Sequence, residues 1–78
     1  MEQFTKRQGQ YLAFIAAYTK LNRRPPAEVD FQRYFEVTPP AVHNMIVTLE
    51  RRGLIKRAPG RPRSIEIAVS GGLVPPLD

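Results

Sequence analysis

Asn44, His43, Arg51 and the later arginines Arg57, Arg61 and Arg63 are the residues of this chain best equipped for chemistry. That chemistry is recognition rather than bond-breaking. An asparagine amide can pair with adenine in the major groove, and a short apolar side chain such as Ala41 or Val47 can pack on a thymine methyl. His43 can donate to a base acceptor or a phosphate. Arginines alternating with turn formers, as in Ala58-Pro59-Gly60-Arg61-Pro62-Arg63, suit the negative potential of a phosphate backbone or a narrow minor groove. Gly60-Arg61-Pro62 matches the core of an AT-hook, which lies extended in an A·T-rich minor groove; the bland competitor is a β-turn with solubilising charge.

Chemistry of other kinds has little to stand on. The chain has no cysteine and a single histidine, so a histidine metal pair and thiolate ligation are both excluded. It offers no convergent acid pair and no glycine-rich phosphate loop, and no catalytic residue, metal ligand, cofactor or small-molecule substrate is expected.

Recognition residues need a scaffold, and residues 38–63 supply one. Thr38 can cap a helix whose first residue is Pro39, where the missing N–H costs nothing. Val42, Met45, Ile46 and Leu49 follow at i, i+3, i+4 and i+7, giving one apolar face. The opposite face carries Pro40, Ala41, His43, Asn44, Val47, Thr48 and Arg51, and Thr38 at the cap is counted with them. Arg51-Arg52-Gly53 ends the helix, with cations at its negative end and glycine where a left-handed residue is wanted. Residues 54–57 and 64–69 read as two strands joined by a turn over 58–63.

Upstream, Thr5 and Gln8 fit a capping box, with Phe4 placed to staple onto Leu12 or a neighbour. Tyr11, Leu12, Phe14, Ile15, Tyr18 and Leu21 give an amphipathic first helix of roughly four turns. Pro25-Pro26 breaks it. Val29, Phe31, Tyr34 and Phe35 predict a second helix over about 27–35, tightly joined to the next through Glu36-Val37. Phe14, Ile15, Phe31, Phe35, Ile46, Leu49 and Ile55 are the expected core. The fold class is therefore mainly α with a small β-hairpin, a three-helix winged helix-turn-helix over residues 4–69. Residues 70–78 have linker composition and are expected to be a flexible tail; the alternative is that Leu73, Val74 and Leu77 dock on the body or a partner.

Charge points the same way. The net charge is +5, and residues 51–63 hold six cations with no acid, whereas residues 1–50 hold six cations against five acids. A field concentrated on the last helical turn and the hairpin favours a polyanionic partner. Met1-Glu2-Gln3 opens no signal-peptide core and no run approaches a membrane span, so a cytoplasmic, nucleoid-associated location is expected.

Read as a set, Phe4-Thr5-Lys6-Arg7-Gln8, Pro25-Pro26, Gln32-Arg33-Tyr34-Phe35, Thr38-Pro39, Arg51-Arg52-Gly53-Leu54-Ile55 and residues 60–65 resemble the N-terminal DNA-binding domain of LexA-type SOS repressors. Spacing is kept over roughly residues 4–67, save a one-residue shortening near Val37. The resemblance implies a three-helix body with a hairpin wing, recognition by the third helix, and base contacts at Pro40, Ala41, His43 and Asn44. Family members usually carry polar or acidic residues at the positions of Pro40, His43 and Asn44, so the SOS operator is not carried over. No counterpart of the family's serine–lysine peptidase domain is present in the 78 residues. Induction by autoproteolysis is therefore not expected, and the chain reads as a stand-alone prokaryotic, phage or plasmid regulator or as a fragment. The leading expectation is a sequence-specific regulator of double-stranded DNA, a repressor in the family's manner, working as a homodimer or at clustered sites. A non-specific architectural protein and a winged-helix protein-interaction module are the alternatives.

Overall fold

The computed structural model describes residues 4–78; the reading of Met1-Glu2-Gln3 lies outside them. Helix α1 spans Lys6–Asn22. Its start is the expected capping box: Thr5 Oγ1 accepts from the Gln8 N–H at 3.1 Å, and the Gln8 amide oxygen accepts from the Thr5 N–H at 2.9 Å. Phe4 packs over Gly9 and against the core. Its ring lies where a β-carbon on Gly9 would meet Phe4 Cε1 at 3.0 Å, so the missing side chain makes the seat. The helix stops at Arg23, whose φ of 61° is left-handed and whose N–H bonds back to the Thr19 carbonyl.

Helix α2 covers Glu28–Phe35, with the Asp30 carboxylate accepting from the Ala27 N–H at 2.7 Å. Glu36, again left-handed at φ 54°, turns the chain within two residues into α3, Pro39–Arg51. Thr38 Oγ1 caps α3 through the Ala41 N–H at 3.4 Å. At the far end Leu54 N–H reaches the Leu49 carbonyl and Gly53 N–H the Glu50 carbonyl, with Gly53 at φ +75°. This is the Schellman closure that Gly53 was expected to provide, and it aims the chain into the hairpin.

Leu12, Ile15, Phe31, Val42, Ile46, Leu49, Leu54, Ile55 and Ile65 close the core. An aromatic group packs beside them, with Tyr11 stacked on Phe35 at 4.5 Å and Phe14 against Phe31 at 4.9 Å. Arg7 lies 4.8 Å over the Phe35 ring, which gives a cation in the first turn of α1 an attractive partner outside the helix. Three residues expected on apolar faces are not in the core: Leu21 is 80%, Tyr34 44% and Val29 40% exposed. Leu21 occupies the last turn of α1.

Strands β1 (Ile55–Lys56) and β2 (Glu66–Ile67) pair antiparallel, Ile55 opposite Ile67 and Lys56 opposite Glu66. They are shorter than residues 54–57 and 64–69 suggested. Ser64 Oγ accepts from the Ala58 N–H at 3.0 Å and lies 2.9 Å from the Arg61 carbonyl, so a side chain takes over where the ladder would continue. Arg63, at φ 54°, also leaves strand geometry. Three helices and this hairpin make a winged helix-turn-helix.

The tail is not the free linker its composition suggested. A 3₁₀ turn at Gly71–Leu73 leads Val74 and Leu77 onto the body. Gln10 fastens the extended end at two points, donating to the Pro76 carbonyl at 3.1 Å and accepting from the Asp78 N–H at 2.8 Å. Pro75 and Pro76 have no N–H to satisfy, and Pro75 shares the Gly9 notch with Phe4. Among the described residues no helix is long and apolar enough to cross a membrane.

Candidate nucleic-acid interface

The exposed side of α3 is set by its buried one. With Val42, Ile46 and Leu49 fully buried, helical periodicity turns Pro40, Ala41, His43, Asn44 and Arg51 to solvent and leaves Val47 and Thr48 at the margin. Every residue expected on the reading face is therefore on one side of one rigid helix. Short or neutral side chains occupy its first turns, and Arg51 stands at its C-terminal end. Thr38 sits at the same N-terminus, its hydroxyl engaged as the cap.

The wing root joins this face. Arg57 Nη2 lies 3.1 Å from Glu50 on α3, and Arg57 Nη1 lies 3.6 Å from Glu28 at the start of α2. Glu28 in turn lies 3.5 Å from His43 Nδ1. Between the end of α3 and the wing tip runs a groove of about 470 Å³, lined by Glu50, Arg57, Pro59, Gly60, Arg61 and Pro62.

At the tip, Pro59-Gly60 forms a tight turn with Gly60 at φ +72° and the Arg61 N–H bonded to the Ala58 carbonyl at 3.1 Å. Proline second and a positive-φ glycine third is type II geometry. Gly60-Arg61-Pro62 is thus folded back in a turn, not laid out in the extended form of an AT-hook, because Gly60 closes the hairpin.

The arginines differ sharply in what they hold. Arg61 is exposed and has no side-chain partner among the described residues, and the same is true of Arg51. Arg63, expected to face DNA, is instead turned into the body. Its Nη1 lies 3.0 Å from Asp30 Oδ2, 3.2 Å from the Tyr18 hydroxyl and 3.4 Å from the Pro25 carbonyl. The bond to Tyr18 raises the Arg63 pKa above its ordinary value, against partial desolvation and with support from the Asp30 charge, so the group stays cationic. Arg52 reaches the Gln8 amide oxygen at 2.8 Å, and Lys56 faces Glu66 at 3.7 Å.

The run of six cations thus presents a smaller free charge than its sequence suggested. Glu28, Asp30 and Glu50, which the sequence reading did not connect to the wing, are brought against it by the fold. Nothing local marks them: Glu28 and Asp30 read simply as favourable charges in the first turn of a helix. Among the described residues no three histidine, cysteine or acidic side chains come together as a metal-ligand group.

Comparison with known proteins gives the family. A family model described as the LexA DNA binding domain matches residues 1–64. The LexA repressor of Thermotoga maritima is 34% identical over 70 residues, covering 90% of this chain and 36% of that protein. The LexA repressors of Thermosipho africanus and Exiguobacterium sibiricum are 36% and 38% identical, each over 86% of this chain and about a third of their own length. The chain therefore spans little more than a third of the curated relatives it matches.

Proposed function

This chain belongs to the LexA DNA-binding domain family, and from that premise we propose that it binds double-stranded DNA sequence-specifically and acts as a transcriptional repressor. The observation that carries the reading is the single uninterrupted face on which Pro40, Ala41, His43, Asn44, Val47, Thr48 and Arg51 lie beside the wing. Inserted in the major groove, α3 brings Asn44 to an adenine edge and Ala41 and Val47 to thymine methyls. His43 reaches a base acceptor or phosphate and Pro40 lies against the base edges, while Thr38, Thr48 and Arg51 flank the backbone.

Arg61, with no side-chain partner among the described residues, supplies the wing's contact to a phosphate or the adjacent minor groove. Arg57 contributes less, because a phosphate reaching it competes with the Glu50 and Glu28 carboxylates already beside it. A single domain of this size offers a limited and salt-sensitive interface, so productive binding uses two copies on a palindromic or clustered site.

Selection from a random duplex pool at about physiological salt tests this, because non-specific binding is already weak there. A recovered motif establishes a sequence reader, and a palindrome within it establishes paired binding. Retention without enrichment shows a non-specific binder, and no retention at all leaves the helix face for a protein partner.

A further inference from the structure

Arg63, on the descending arm of the wing, is turned inward by the fold, and this comes at a cost. Its backbone is left-handed at φ 54°, a conformation that disfavours a residue with a β-carbon. The side chain then crosses to three partners on α1, α2 and the segment between them: Tyr18, Asp30 and the Pro25 carbonyl. Asp30 is mostly buried, its side chain 12% exposed, and it also receives the Ala27 N–H. One carboxylate thus fixes the first turn of α2 and the descending arm of the wing together.

The hairpin's root is held by Ile55 and Ile65 in the core and by Arg57 on Glu50 and Glu28, but its descending arm beyond Pro62 reaches α1 and α2 through Arg63. Each strand contributes two residues, and an isolated two-stranded ribbon of that size is not stable alone. Arg61, two positions before Arg63 across Pro62, lines both the groove toward α3 and the groove toward the start of α2.

We infer that Arg63 is a positioning residue for DNA binding: by bonding Asp30, Tyr18 and the Pro25 carbonyl it sets where Arg61 stands relative to α3, and it does not itself contact DNA. This rests on the DNA-binding reading above. It makes an acid a supporter of binding to a polyanion, which simple electrostatics would not allow. Removing the Asp30 charge should by Coulomb's law tighten DNA binding, and releasing Arg63 should add a phosphate ligand. If Arg63 positions Arg61, the same change loosens the wing and weakens binding.

The test is Asp30→Asn, which keeps every cation and keeps an amide oxygen for the Ala27 N–H. It is measured by titration against one selected duplex over a salt series, at a temperature where melting curves show both proteins folded. Asp30→Asn is expected to lower affinity roughly tenfold and to reduce the salt slope by about one, the signature of a lost phosphate contact. A general loss of stability would leave that slope in place. Arg63→Ala should do the same, and adding Arg61→Ala to it should cost little more, because Arg61 is already displaced. Unchanged or tighter binding by Asp30→Asn overturns the inference, as does weaker binding with the full salt slope. If the unaltered protein binds no duplex, the DNA reading itself fails, an outcome visible before any variant is compared.

Discussion

Asn44 and Arg61 stand for two kinds of contact that one substitution each can separate. Asn44, on the exposed face of α3, is placed to read a base, so Asn44→Ala should change which duplex is preferred, with a cost of about 1–3 kcal/mol at one position of the site. Arg61→Ala should weaken every duplex alike and lower the salt slope by about one. Competition titrations with point-substituted duplexes distinguish them; equal losses on all duplexes for Asn44→Ala would remove its base-reading role. Tyr11 supplies a pH prediction of a different kind. Burial raises its phenol pKa above 10.0, with Arg7 pulling partly back. Above that ordinary value the folded chain therefore holds a proton that the unfolded chain has released, and stability falls as pH rises. Below it both states are protonated and the effect vanishes. Melting curves on either side of pH 10.0 should show a shallower alkaline decline for Tyr11→Phe than for the parent.

At the level of elements, what the sequence revealed was local. Thr5 with Gln8, Thr38 with Pro39, and Gly53 after Arg52 each announce a helix end through groups a few residues apart, and each end is where they put it. The apolar stripe of α3 likewise named its own opposite face. Strand lengths were not legible, because Ser64 and the left-handed Arg63 displace a ladder that the residue types favour. Nor were pairs between elements: nothing in the sequence joins Glu28 to His43, Glu50 to Arg57 or Asp30 to Arg63. The tail's docking was legible only as an alternative for the same reason, its seat being made by Gly9 and Gln10 far upstream. Gly9→Ala probes that seat. The added β-carbon would meet Phe4 at 3.0 Å and Pro75 at 3.1 Å, against a helix-propensity gain of about 1 kcal/mol. The two effects should nearly cancel in Tm, while the tail loosens. Hydrogen exchange at the Asp78 amide, now bonded to Gln10, should accelerate; an unchanged rate would show that Pro75 simply moves aside.

Taken whole, the molecule is held by a core that the three helices share with the root of the wing, with the tail laid on it. Removing residues 70–78 should uncover the surface around Phe4 and Gly9. With Val74 and Leu77 half-buried at about 1 kcal/mol each, Tm should fall by roughly 10 °C. A variant that melts with the parent would make the tail a passenger. The wing's tether has a consequence in time. Arg63 meets Asp30 across 33 positions of chain and Tyr18 across 45, so its bonds form only once α1 and α2 are already side by side. Contacts that form so late should contribute little to the folding transition state. Arg63→Ala should therefore leave the refolding arm of a chevron plot almost unmoved and raise the unfolding arm. The wing would be the last part to arrive and the first to leave, an order of assembly fixed by one arginine.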